Sequence, residues 1–196
     1  MTPLLVATFY RFTTLEDHAA MQASIDACCR EHDVRGIILL ANEGINATIA
    51  GTREGVLAVI DFLREDPRLA ALTWKESSAD KQPFRKMRVR LKQEIVRMGV
   101  PGIDPAQLVG TYVKPADWNR LISDPDVIVI DTRNDYEVEI GTFQNAINPD
   151  IQSFGQLPGW IDRQLDLSRK PKVAMFCTGG IRCEKSTALL KQAGLD

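Results

Sequence analysis

The chain has 196 residues, 44% of them hydrophobic and 26% charged, and a formal net charge of −2. That leaves room for one large or two small globular domains, and the overall charge does not mark a nucleic-acid binder, although a local basic patch still can. No apolar run approaches the ~20 residues of a membrane helix, the N-terminal MTPLLVATFYRF lacks the layout of a signal peptide, and four cysteines, two of them adjacent (Cys28, Cys29), make no disulfide framework, so a reducing, cytoplasmic location is expected.

Leu4 to Phe12 (LLVATFYRF) reads as a buried strand. Leu15 to Asp33 follows with helical spacing that puts Met21, Ile25 and Cys28 on one face. VRGIILLANEG and INATIAG read as two strands around a polar turn at Asn42, Glu43 and Gly44. Thr52 is placed to cap the next helix, whose stripe is Val56, Val59, Ile60 and Leu63, with Pro67 just past its end. LTWKESS is a further strand. The order strand-helix-strand-strand-helix-strand is that of a split βαβ, ferredoxin-like α+β unit.

Residues 80–105 form a joint. Between Lys81 and Arg97 stand seven basic residues and one acid, Glu94. Val89 and Leu91 alternate with Arg88, Arg90 and Lys92, the pattern of a strand with one apolar and one basic face. Pro101, Gly102 and Pro105 then mark a linker, which divides the chain into domains 1–100 and 101–196. Beyond it the pattern becomes α/β. TYVKP reads as a short strand, ADWNRLIS as a short helix, DVIVIDTR as a buried parallel strand and NAINP as another. A helical stretch spans Ile151 to Leu165, and KVAMFC is again a buried strand.

That last strand runs into CTGGIRCEKS. In open parallel α/β sheets, ligands bind beyond the carboxyl ends of strands, and Cys177 sits at such an end. The following helix carries Ser186, Leu189, Leu190 and Ala193 and stops near Gly194. Cys177 therefore lies over a helix N-terminus, where free N–H groups and the helix dipole favour an anion. Gly179 and Gly180 allow the backbone to curl its N–H groups inward, and Arg182 adds a positive charge that steers an anionic donor or screens the sulfur. A cysteine held so is a thiolate near neutral pH, fit for nucleophilic or sulfur-carrying chemistry. The competing possibility is a cysteine phosphatase loop, which has five residues between Cys and Arg. Here there are four, a smaller ring that favours a sulfur over a phosphate.

The second half resembles a rhodanese domain, through VIDTRNDYEVEIGTFQNAINP and FCTGGIRCEKS. The resemblance implies that Cys177 is the persulfide-forming cysteine and that Thr178, Gly179, Gly180, Ile181 and Arg182 form the loop cradling it. It also implies that Asp131 and Arg133 support the loop, and that Glu137 is the acidic residue that pairs with the arginine. Thr142-Phe143 stands where many rhodaneses have His-Ile, and Asn145 where many have Gly. The chain lacks the strand and Gly-Gly turn that normally follow this helix, so the rhodanese-like sheet is expected to be truncated at its C-terminus.

With ANEGINATIAG, FRKMRVRLKQEIVRMG and YVKPADWNRLI included, nearly the whole chain resembles the rhodanese-type tRNA uridine 5-hydroxylases of bacteria. That resemblance implies oxygen-dependent hydroxylation of the wobble uridine, with tRNA as partner and dioxygen as co-substrate. It makes Arg85, Lys86, Arg88, Arg90 and Lys92, with Lys81 and Arg97, candidates for phosphate contacts. Phe84 and Trp74 are then candidates for stacking or for the core. Asn42, Glu43 and Asn46 are either a polar turn or the lining of a cleft. No metal constellation, haem motif or nucleotide-binding glycine fingerprint is visible, His18 and His32 both fall on the first helix, and no cofactor is identifiable. Cys183 is a candidate to resolve a persulfide or sulfenic acid on Cys177, or a packed helix residue. Two other functions stay open: a sulfurtransferase taking sulfur from thiosulfate or a protein persulfide, with a sulfur donor or small reductant as partner, and a non-catalytic RNA- or protein-binding module.

Overall fold

The computed structural model describes residues 3–195, which divide into two compact units, one running through Ile95 and the other beginning at Val96. The first contains β1 (Leu4–Phe12), α1 (His18–Glu31), β2 (Arg35–Ala41), β3 (Gly44–Gly51), α2 (Arg53–Arg64), β4 (Trp74–Ala79) and β5 (Met87–Leu91). Its five-stranded sheet has the order β4-β1-β3-β2-β5. The first four strands are antiparallel, and β5 adds to the edge parallel to β2. This is the ferredoxin-like arrangement that the element order implies, extended by the basic strand.

Alternation explains which way each strand faces. Leu5, Ala7 and Phe9 of β1, Ile38 and Leu40 of β2, and Ile45, Ala47 and Ile49 of β3 enter one core with Ile25 of α1 and Val56, Val59, Ile60 and Leu63 of α2. Each buried Val, Leu, Ile or Phe among them contributes about 1.5–3 kcal/mol. The Thr52 hydroxyl accepts the Gly55 N–H at 3.1 Å, starting α2 as its sequence requires. On α1 the buried pair is Ile25 and Cys29, four residues apart, while Met21 and Cys28 only flank the core. The buried thiol is thus the neighbour of the one expected from spacing. Gly44 closes the β2–β3 hairpin at φ 142°, and a Cβ there would lie 2.0 Å from the Arg11 carbonyl oxygen.

The second unit contains α3 (Pro115–Ile122), β6 (Val127–Asp131), the one-turn α4 (Asp135–Val138), α5 (Leu157–Gln164), β7 (Lys172–Phe176) and α6 (Ile181–Gln192). β6 and β7 pair in parallel, with Asp131 opposite Phe176, so both strands end at the same level. Ile130, Ile151, Leu157, Ile161, Met175 and Leu190 form the core, joined by Met98 and Ile103 from the segment around the Pro-Gly linker signal. Two expected strands are absent. Residues 111–114 of TYVKP belong to no strand, and Tyr112 is largely exposed. NAINP contributes only an isolated bridge between Ile147 and Ile130, because the preceding turn places Asn145 at φ 63° and breaks extended geometry. Asn is among the few residues besides Gly that tolerate that left-handed angle. Among the described residues no helix is long and apolar enough to cross a membrane.

Candidate functional site

Cys177 follows β7 directly and precedes α6, whose N-cap is Gly180 at φ 100°. That angle, open to glycine and strained for other residues, turns the Gly180 N–H back onto the Cys177 Sγ at 3.0 Å. The Cys183 thiol and the Cys183 N–H also donate to this sulfur. The sulfur therefore sits over the first turn of α6, among donors that a helix leaves unpaired.

The electrostatic result is a thiol lowered to about 5. The hydrogen bond from the Cys183 thiol is the largest cause, burial opposes it, and the two N–H groups and the Arg182 charge complete the effect. The Cys183 thiol is pushed up, first by that same hydrogen bond and then by burial. The pair thus divides its roles: Cys177 carries the negative charge and Cys183 holds the proton. Thr132 Oγ1 lies 3.8 Å from the Cys183 sulfur on its other side. The remaining cysteines behave oppositely. Burial raises Cys28, and raises Cys29 to about 12, which makes them inert packing thiols.

Glu137 ties the loop together. It accepts from both terminal nitrogens of Arg182, at 2.6 and 2.7 Å, and from the Thr178 hydroxyl at 2.7 Å. It also accepts the Asn134 N–H in the capping box of α4. The Arg182 hydrogen bonds are the main reason its carboxyl falls to about 2. The arginine that meets its side chain is Arg182; Arg133 reaches only its main-chain carbonyl. Because Arg182 is engaged on both terminal nitrogens, its charge is largely met by Glu137. Arg182 thus fixes the loop through Glu137, and its charge also favours the Cys177 anion.

Beneath the loop, Asp131 is fully buried and pairs with Arg133 at 2.6 Å. Arg133 also donates to the Gly141 carbonyl, and the Thr142 hydroxyl donates to Asp131 at 2.8 Å. Thr142 therefore belongs to the loop's support. Its departure from the usual His was the only sequence signal pointing to it. Ile181 opens α6, and Gly179 has open space where a Cβ would stand. Lys185, also missed, is buried and donates to the Val96 carbonyl at 3.0 Å, anchoring the incoming chain to α6; no periodicity marks a buried lysine.

The remaining candidates lie in the first unit, apart from Arg97 at the start of the second. Arg85, Lys86, Arg88, Arg90 and Lys92 are all exposed, on β5 and its flanks. Trp74 is committed elsewhere: its ring lies under the Arg64 guanidinium at 4.8 Å, and its Nε1 donates to Glu76. Phe84 is half-buried. Glu43 and Asn46 clamp Ile95, the carboxylate accepting its N–H at 2.7 Å and the amide donating to its carbonyl at 3.0 Å. His18 sits at the start of α1, its Nδ1 2.8 Å from the Leu15 carbonyl oxygen. Among the described residues no group of three or more His, Cys, Asp or Glu is placed to hold a metal ion.

Comparison with known proteins adds the following. Residues 4–95 match the UPF0176 acylphosphatase-like domain, and residues 114–196 the rhodanese-like domain. A tRNA uridine(34) hydroxylase of Acaryochloris marina is 59% identical over 196 residues, covering 100% of this chain and 63% of that protein. One of Albidiferax ferrireducens is 63% identical over 200 residues, covering 100% and 63%, and one of Teredinibacter turnerae is 56% identical, covering 100% and 61%. The chain thus spans 61–63% of the length of these relatives. On these matches the first unit is similar to the UPF0176 acylphosphatase-like domain and the second to the rhodanese-like domain.

Proposed function

We propose that the protein hydroxylates the wobble uridine of tRNA to 5-hydroxyuridine, with dioxygen as co-substrate and Cys177 as the reactive group. The observation that supports this most is identity of 56–63% along the whole chain to proteins named tRNA uridine(34) hydroxylase, combined with a sulfur held as an anion in a built cradle. A thiolate at pH 7 is the competent nucleophile. Glu137, Arg182 and Thr178 hold the loop around it, and Asp131, Arg133 and Thr142 hold that assembly against β6.

In this reading Cys183 resolves what forms on Cys177. Attack by the Cys183 sulfur on a Cys177 sulfenic acid gives a disulfide and water; attack on the inner sulfur of a Cys177 persulfide gives the same disulfide and hydrogen sulfide. Either way a small reductant must then restore the thiols. The exposed cations from Arg85 to Lys92 serve tRNA phosphates. Nucleoside mass spectrometry of tRNA from cells with and without the gene tests substrate and reaction together. Loss of 5-hydroxyuridine is expected, and unchanged nucleosides would refute the reading.

The N–H cradle also favours a second reading, a sulfurtransferase carrying a persulfide on Cys177. Incubation of the full-length protein with thiosulfate and intact-mass measurement decides it, since a carrier gains one sulfur on Cys177.

A further inference from the structure

The helices cover only one face of the five-stranded sheet. The same alternation that sends Leu5, Ala7 and Phe9 into the core places Val6, Thr8 and Tyr10 on the opposite face. Strand register aligns these residues with their neighbours. Lys75, Thr8, Thr48, Ile37 and Arg88 stand directly beside one another, one per strand, in a row across all five strands. The Thr8 and Thr48 hydroxyls meet at 3.2 Å in the middle of it. Tyr10, Asn46, Leu39 and Arg90 make the adjacent row, bordered where Asn46 holds the Ile95 carbonyl.

Between cations at its edges this face carries hydroxyl, amide, aliphatic and aromatic side chains: Thr8, Thr48, Asn46, Ile37, Leu39 and Tyr10. Thr8, Lys75, Arg88 and Arg90 are exposed, and Tyr10, Ile37, Leu39 and Thr48 partly so. None of the strand positions named on this face is Asp or Glu. With strands about 4.8 Å apart, Lys75 and Arg88 stand roughly 19 Å apart, a span that holds a few nucleotides of single strand. Unstacked bases bind on aromatic and apolar side chains while cations take the phosphates.

We infer that this open sheet face is a platform for single-stranded RNA: Tyr10 stacks on a base, Thr8, Thr48, Ile37 and Leu39 floor the strand, and Arg88, Arg90 and Lys75 hold its phosphates. The inference rests on the tRNA reading above and extends it by assigning the RNA loop, rather than a helical stem, to a defined surface of the first unit.

The test uses the full-length protein and two fluorescent RNAs, a 17-nucleotide anticodon stem-loop and a blunt duplex of the same stem. Tyr10→Ala should weaken stem-loop binding by about five-fold or more, the lower end for losing one base–aromatic stack, and leave duplex binding unchanged, while Tyr10→Phe retains stem-loop affinity. Thr8→Glu, at an exposed position that tolerates the change, should weaken the stem-loop further by adding a negative charge between the cations. Arg88→Ala with Arg90→Ala should weaken both RNAs and flatten the salt dependence by about two phosphate contacts. Arg120→Ala, in the second unit, serves as the control and should change nothing. Wild-type affinity in both Tyr10→Ala and Thr8→Glu would overturn the platform while the tRNA reading survives. Protection of Tyr10 from hydroxyl-radical footprinting in the RNA-free protein would also overturn it, by showing that protein covers the face. Failure of the wild-type protein to bind either RNA would instead sink the tRNA reading itself.

Discussion

Cys183→Ala removes the strongest of the contacts that hold Cys177 as an anion. In the folded chain the Cys177 thiol lies at about 5, lowered first by the Cys183 thiol, then by the N–H groups of Cys183 and Gly180 and by Arg182, against the opposing effect of burial. Alanine keeps the Cys183 N–H and the helix and deletes only the thiol donor. A hydrogen bond to a charged group contributes about 1.5–3 kcal/mol, and at 1.36 kcal/mol per pH unit its loss raises the Cys177 midpoint by about one to two pH units, to roughly 6–7. Cys183→Ser retains a donor and should fall between wild type and alanine. The assay is iodoacetamide alkylation against pH, with peptide mass spectrometry isolating Cys177 from Cys28 and Cys29. A wild-type midpoint near the ordinary thiol value, or an alanine variant that titrates with the wild type, would refute the proton-sharing pair.

Other substitutions probe the support. Glu137→Gln leaves the half-buried Arg182 without its carboxylate and should destabilise the second unit by about 3 kcal/mol in denaturant unfolding. Because the folded Glu137 carboxyl lies at about 2, below its ordinary 4.5, its stabilisation is complete above pH 4.5 and is lost as the pH falls through about 2; Glu137→Gln should flatten that part of the stability profile. Gly180→Ala forces a side chain onto φ 100° at a cost of roughly 1–3 kcal/mol and should slow Cys177 alkylation at neutral pH by moving the Gly180 N–H off the sulfur. Asp131→Asn breaks a fully buried pair with Arg133 and should cost about 3–5 kcal/mol in the same unfolding measurement, whereas Thr142→Val, losing one hydrogen bond to Asp131, should cost about 1.5–3 kcal/mol.

Periodicity made the first unit legible wherever one face is buried. The stripe of α2 and its Thr52 cap stand as the spacing requires, and so does the alternation of β5. It failed where burial is decided by neighbours outside the element. Cys29 rather than Cys28 is buried because it stands four residues from Ile25, on the face that α1 turns to the core. TYVKP has strand-like residues, but the N–H of Gly110, just before it, goes to the Thr187 hydroxyl instead of a ladder. The loop from Cys177 to Arg182 was readable because glycine spacing at a strand end has few alternatives. The pairing of Glu137 with an arginine, Arg182 standing 45 residues away, came from the resemblance and not from spacing, and neither pointed to the Cys183 thiol as the main partner of the Cys177 sulfur.

The central claim is that the anionic sulfur of Cys177 performs the chemistry. Its most direct test is the 5-hydroxyuridine content of tRNA from cells lacking the gene and complemented with full-length wild-type or Cys177→Ala protein, at matched protein levels. Wild type should restore the modification and Cys177→Ala should not; restoration of normal 5-hydroxyuridine by Cys177→Ala would contradict a role for the sulfur.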